Sequence, residues 1–228
     1  MLPKIDLPLV PMILPSTGKL IKYRPFTVKE EKIMLMAQES KDAEQITLAI
    51  KQIITNCVFG VKNISTLPIF DIEMIMINLR KDSVGGELDV ELPCIKCDQY
   101  LPVVVDLLKI SISHKPKTKI IKVNDQIHVE FGFPTLNSLG IEHIPANTFT
   151  LLADTILTVT DGEEIYKGID ISLEEKEVFL MGIPSSLMEE CKNHLMNIPK
   201  VAYNDKRKCP HCQEENDITV EGLMNFFG

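Results

Sequence analysis

Four of the six cysteines stand as two pairs, Cys94-Ile95-Lys96-Cys97 and Cys209-Pro210-His211-Cys212. Two cysteines separated by two residues in a tight turn can aim both thiolates at one ion, about 2.3 Å from each sulfur, and two such turns complete a tetrahedral shell. About 110 residues lie between the pairs, against the roughly 15 to 20 of a compact zinc ribbon. A shared ion therefore clips the C-terminal segment to the middle of the chain and closes a long loop, which constrains the topology of everything between. The expected ligands are Cys94, Cys97, Cys209 and Cys212. The expected ion is Zn2+ in a structural role, because four protein ligands leave no open position for water or substrate. The competing readings are four reduced thiols that never meet, or two thioredoxin-like redox pairs. Pro210 and His211 suit a tight turn, and no βαβ pattern surrounds either pair, so the shared ion is favoured. His211 lies between two better-placed ligands and is not expected to bind.

The remaining cysteines, Cys57 and Cys191, carry no motif, and the set does not resemble a secreted disulfide framework. Four prolines in the first 15 residues argue against a signal peptide, so a reducing compartment is expected. The longest apolar runs, such as 72–79 and 151–159, fall far short of the roughly 20 residues of a membrane span. With 45% hydrophobic residues in 228, the chain can bury a substantial core. A net charge of -8 with only three arginines argues against an extended phosphate-binding surface. The lysines at 115, 117, 119 and 122 read best as guards on an exposed β-edge.

The first 25 residues are rich in proline and predict an extended arm. Thr27-Val28-Lys29-Glu30 is a capping box followed by Ile33, Met34 and Ala37 at helical spacing. A second helix runs from about Asp42, with Ile46, Ile50, Ile53 and Cys57 on one stripe. A third opens at Pro68 and ends at Ser83-Val84-Gly85-Gly86. From Glu87 the period becomes two: Leu88, Val90 and Leu92, then Leu101, Val103 and Val105, predict a hairpin whose tip is the first cysteine pair. Residues 120–123 and 127–131 predict another hairpin. Phe149, Leu152, Ala153 and Ile156 return to helical spacing, and capping boxes at Ser172–Glu175 and Ser186–Glu189 start two more helices, the latter burying Cys191. Strand signals resume at 218–220.

The fold expected is α+β: an extended arm over 1–25, a helical region over 26–86, a β-rich zinc-ribbon-like region over 87–135 closed by 200–220, and a second helical group over 136–199. No enzyme is expected. His128-Val129-Glu130 with Cys94 and Cys97 holds pieces of the zinc deaminase signature, but in reversed order. Ser16-Thr17-Gly18-Lys19 lacks the first glycine and the terminal hydroxyl of a phosphate loop, so no small-molecule substrate or nucleotide is expected. A regulatory zinc-ribbon module that binds nucleic acid is the alternative, resting on Lys206-Arg207-Lys208 beside Cys209.

At Pro15-Ser16-Thr17-Gly18-Lys19, Tyr23 to Lys32, Asp71-Ile72-Glu73, Leu79-Arg80-Lys81-Asp82-Ser83-Val84-Gly85, Ser172 to Glu177 and the Phe226-Phe227 ending, the chain resembles the baseplate hub assembly proteins of T4-like contractile-tailed bacteriophages along its full length. The resemblance implies a viral tail component or assembly factor, made in the cytoplasm of the infected cell. Its implied partners are other baseplate hub or tail proteins, with no membrane.

Overall fold

The structure, a computed structural model, describes residues 5–139, 148–222 and 225. Strand β1 (Val10–Ile13) and strand β2 (Leu20–Tyr23) form an antiparallel hairpin, with Val10 opposite Tyr23 and Ile13 opposite Leu20. In place of an extended arm, the segment is thus a sheet that buries Met12, Leu14, Ile21 and Tyr23. Pro11 sits on the edge strand, where its missing N–H can face solvent, and Pro15 falls in the connecting turn, so neither opposes strand pairing.

Helix α1 (Val28–Ser40) starts at the capping box, where the Thr27 N–H donates to Glu30 Oε2 at 2.9 Å. Helix α2 (Ala43–Cys57) starts at Asp42, whose carboxylate accepts from the Glu44 and Gln45 amides. It runs directly into strand β3 (Val58–Phe59), which pairs with β2. Helix α3 (Ile69–Ser83) follows Pro68, which caps it. This helix is apolar on two sides because it serves two cores. Ile72, Ile75, Met76 and Leu79 pack with α1, α2 and the N-terminal hairpin, whereas Phe70 and Ile77 pack beneath the ribbon strands.

Strand β4 (Glu87–Pro93) and strand β5 (Tyr100–Asp106) form the first cysteine-tipped hairpin, with Leu88 opposite Val105 and Pro93 opposite Tyr100. Strand β6 (Ser111–Ile112) follows. Strand β7 (Lys119–Lys122) and strand β8 (Ile127–Phe131) then form the next hairpin. Beyond the short helix α4 (Leu136–Leu139), helix α5 (Thr148–Asp154) leads into strand β9 (Ile156–Asp161) and strand β10 (Glu164–Lys167). Ile156 therefore begins a strand and does not continue the helix. The run Ile156-Leu157-Thr158-Val159-Thr160, β-branched at four of its five positions and closed by Asp161-Gly162, outweighs the helical spacing of one isoleucine.

The four-stranded sheet is ordered β10-β9-β8-β7, so it crosses the expected boundary at 135/136. Its inner face, including Ile121, Val129 and Val159, packs with Leu152, Leu180 and Cys191 from the helices. Helix α6 (Leu173–Met181) uses the capping box at Ser172, and helix α7 (Ser185–Met196) starts one residue before the expected box, capped by Pro184. The Ser186–Glu189 pattern thus lies inside the helix. Strand β11 (Val201–Lys208) and strand β12 (Glu215–Glu221) make the last hairpin, and β11 also pairs with β6. The chain does return to its middle. Phe133 packs against the second core, edge-on to Phe70 at 5.0 Å between ring centroids, and lies 5.8 Å from the ring of His194 on α7. Among the described residues, no helix is long and apolar enough to cross a membrane.

Candidate metal centre

The first cysteine pair tips the β4–β5 hairpin and the second tips β11–β12. Both tips are the same six-residue turn. Cys94 N–H donates to Gln99 O at 2.9 Å and Asp98 N–H to Cys94 O at 3.0 Å; Cys209 N–H donates to Glu214 O at 2.8 Å and Gln213 N–H to Cys209 O at 2.9 Å. The residue after each second cysteine is left-handed, with φ of 59° at Asp98 and 63° at Gln213. That conformation costs a residue with a Cβ about 1–2 kcal/mol, and both tips carry it at the same place.

The hairpins bring the four Sγ atoms within 4.8 Å of one another. Cys94 and Cys212 are 3.7 Å apart, as are Cys97 and Cys209, so each close contact joins one hairpin to the other. Thiolates bound tetrahedrally at about 2.3 Å from one ion stand about 3.8 Å apart, which the two cross-hairpin distances match. All four thiols are free. The set can hold a metal ion, and among the described residues it is the group of potential ligands brought together. His211 is not part of it, and His128 lies in β8 opposite Lys122 and Thr160.

Backbone amides prepare the site for anionic sulfur. The N–H groups of Lys96 and Cys97, with a smaller contribution from Asn216, lower the Cys94 thiol to about 6. The Gln99 amide also pulls Cys97 down, but desolvation and the neighbouring sulfurs outweigh it and push that thiol up to about 12. One thiolate thus opposes the next until a cation joins them. Cys57 and Cys191 are fully buried in separate cores, and burial raises both to about 11, as for inert structural thiols.

Two contacts lock the tips together. Lys96 Nζ meets Glu214 Oε2 at 2.7 Å, and the Ile95 N–H donates to Oδ1 of Asn216 at 2.9 Å. Asn216 is buried, and its own Nδ2 donates to Glu214 O at 3.0 Å. The sequence reading missed this residue; its only signal is an asparagine beginning the alternation of β12. The basic stretch beside Cys209 is largely neutralised: Lys206 pairs with Asp217 at 3.0 Å and Arg207 with Asp205 at 2.7 Å. The nucleic-acid alternative thereby loses two of its three free cations.

The N-terminal hairpin repeats the tip without cysteines. Leu14 N–H donates to Lys19 O at 2.9 Å, Gly18 N–H to Leu14 O at 2.8 Å, and Gly18 takes a φ of 68°. The faint phosphate-loop pattern at 16–19 is this turn, with Lys19 Nζ on Gly60 O at 2.7 Å. Leu14 and Thr17 stand where the cysteines would be, and the Ser16 N–H and hydroxyl bond to the buried Asp71 carboxylate. Here a core leucine and a carboxylate fix what two sulfurs fix elsewhere.

The Phe226-Phe227 ending lies outside the described residues. No curated protein and no solved structure matches the chain. One family model, described as T4 bacteriophage base plate protein, matches residues 8–228, which is nearly the whole chain. The chain belongs to the T4 bacteriophage base plate protein family.

Proposed function

We propose that the chain is a non-enzymatic component or assembly factor of the baseplate hub, acting by protein–protein contact and carrying one structural Zn2+ on Cys94, Cys97, Cys209 and Cys212. It is made in the cytoplasm of the infected cell, and its partners are other hub or tail proteins. The observation that carries the reading is the meeting of two cysteine-tipped hairpins within 4.8 Å in a chain of a baseplate family. A bound ion supplies no reaction in a closed four-sulfur shell; it contributes folding free energy by tying β4–β5 to β11–β12.

Elemental analysis of protein purified under reducing, chelator-free conditions is expected to give about one zinc per chain. Cys97→Ser is expected to lower metal content and melting temperature together, and to reduce recovery of hub complexes from infected cells. Metal-free wild-type protein of unchanged stability removes the zinc, and failure to recover any tail protein in a pull-down removes the hub role.

A further inference from the structure

The four-stranded sheet ends in two unlike edges. β7 carries Lys119 and Lys122, and Lys119 Nζ is held by Glu190 Oε1 of α7 at 2.6 Å. Charge and a neighbouring helix guard that edge. β10 carries Glu164 and Lys167, opposite in sign and without a helix ion pair like that of Lys119 in the described residues, with no proline and no bulge, and among the described residues no strand lies on its outer side. All four of its residues are exposed, Ile165 by 65%, and Ile169 just beyond it by 78%. An edge of this kind is a template for another strand.

The ladder decides which backbone groups are available. The two-residue turn Gly162-Glu163 makes Asp161 and Glu164 the hydrogen-bonded closing pair, so Glu164 and Tyr166 turn their amides and carbonyls to β9. Those of Ile165 and Lys167 point outward.

We propose that β10 is a homotypic docking edge, through which two copies of the chain pair antiparallel across a two-fold axis at Ile165. A two-fold normal to the sheet keeps both copies' faces aligned and centres on one residue, and the outward groups of Ile165 and Lys167 can pair whether the central residue is one of these two or lies between them. Centring on Tyr166 sets Ile165 opposite Lys167 of the second copy, an apolar side chain against a charge, and centring on Glu164 sets two carboxylates face to face. Centring on Lys167 sets two lysines face to face, which is unfavourable. Centring on Ile165 sets the two exposed isoleucines side by side and places Glu163 opposite Lys167 of the second copy, twice by symmetry. On the other face, Glu164 falls opposite Tyr166 of the second copy, and these two already bond within one chain. The edge is thus complementary to itself in charge, in apolar contact and in backbone polarity at one register. Two such short strands bury less than the roughly 1,200 Å² of a standard stable interface, so the dimer is concentration-dependent.

Sedimentation velocity of the full chain over a concentration series reaching the high-micromolar range tests this. Wild type is expected to shift from monomer to dimer. Ile165→Pro removes an outward amide that β9 does not use, and is expected to leave the melting temperature unchanged and abolish the dimer. Lys167→Glu is expected to weaken dimerisation roughly tenfold, and Glu163→Lys with Lys167→Glu to restore it. A wild type that stays monomeric overturns the proposal. So does a double charge exchange that fails to rescue the single one, since a strand from a different protein or another face has no reason to respond to that exchange.

Discussion

The backbone N–H of Ile95 donates to Oδ1 of Asn216 at 2.9 Å, joining residues 121 apart at the point where the two cysteine tips meet. This bond ties one tip to the other beside the sulfurs. Asn216→Ala is expected to remove the partner of the Ile95 amide and the buried Asn216 side chain, at a cost of about 1 kcal/mol. By disturbing the support of the ligands, it is expected to weaken metal affinity by roughly tenfold or more, read by chelator competition. A variant with unchanged stability and metal retention would show the bond to be incidental.

The cysteine spacing made the return of the C-terminus legible, because the favoured reading, one site shared by both pairs, requires the chain to come back. Capping boxes at Thr27 and Ser172 also marked true helix starts, since their side chains close on their own turns and need no tertiary context. Asn216 was not legible, because its burial arises only when a tip 121 residues away covers it. The β9–β10 hairpin was obscured by Ile156, which fits a helical stripe and a strand alternation alike. The N-terminal hairpin was hidden by its prolines. Its kinship to the cysteine tips lies in backbone geometry, with Gly18, Asp98 and Gln213 sharing one conformation and no residue type.

Removal of residues 5–14 is expected to destabilise the protein in isolation. It deletes β1 and with it Met12 and Leu14, which are buried against the first core. Each such side chain contributes about 1.5–3 kcal/mol, and the loss also uncovers the outer side of β2. A melting temperature equal to wild type, with assembly lost, would instead mark the hairpin as a docking element.

Gly168 is expected to tolerate no side chain. A Cβ there would stand 2.0 Å from the Ile156 carbonyl oxygen, a backbone atom that cannot swing aside. Gly168→Ala should cost about 3 kcal/mol or more by forcing β9 away from the turn that follows β10. Gly86→Ala is the control, because an added Cβ there meets nothing within 4 Å. Equal urea midpoints for the two variants would contradict this reading of the β9–β10 corner.

Glu30 makes the N-terminal region sensitive to acid. Burial alone would raise its pKa, but the Arg24 guanidinium at 3.1 Å and the Thr27 hydroxyl and amide favour the carboxylate and hold it at about 2, below its ordinary 4.5. A folded-state value below the unfolded one means that the contribution is complete above 4.5 and fades as pH falls from there toward 2. The contribution at neutral pH is roughly 2 kcal/mol, since the side chain is buried but Arg24 is partly exposed. Glu30→Gln removes the charge while nearly keeping the shape. It is expected to lower stability at pH 7 and to flatten the loss between pH 5 and pH 2, with the two proteins converging at the acidic end. Parallel stability curves, offset by the same amount at every pH, would place the effect of the substitution in packing and not in the charge.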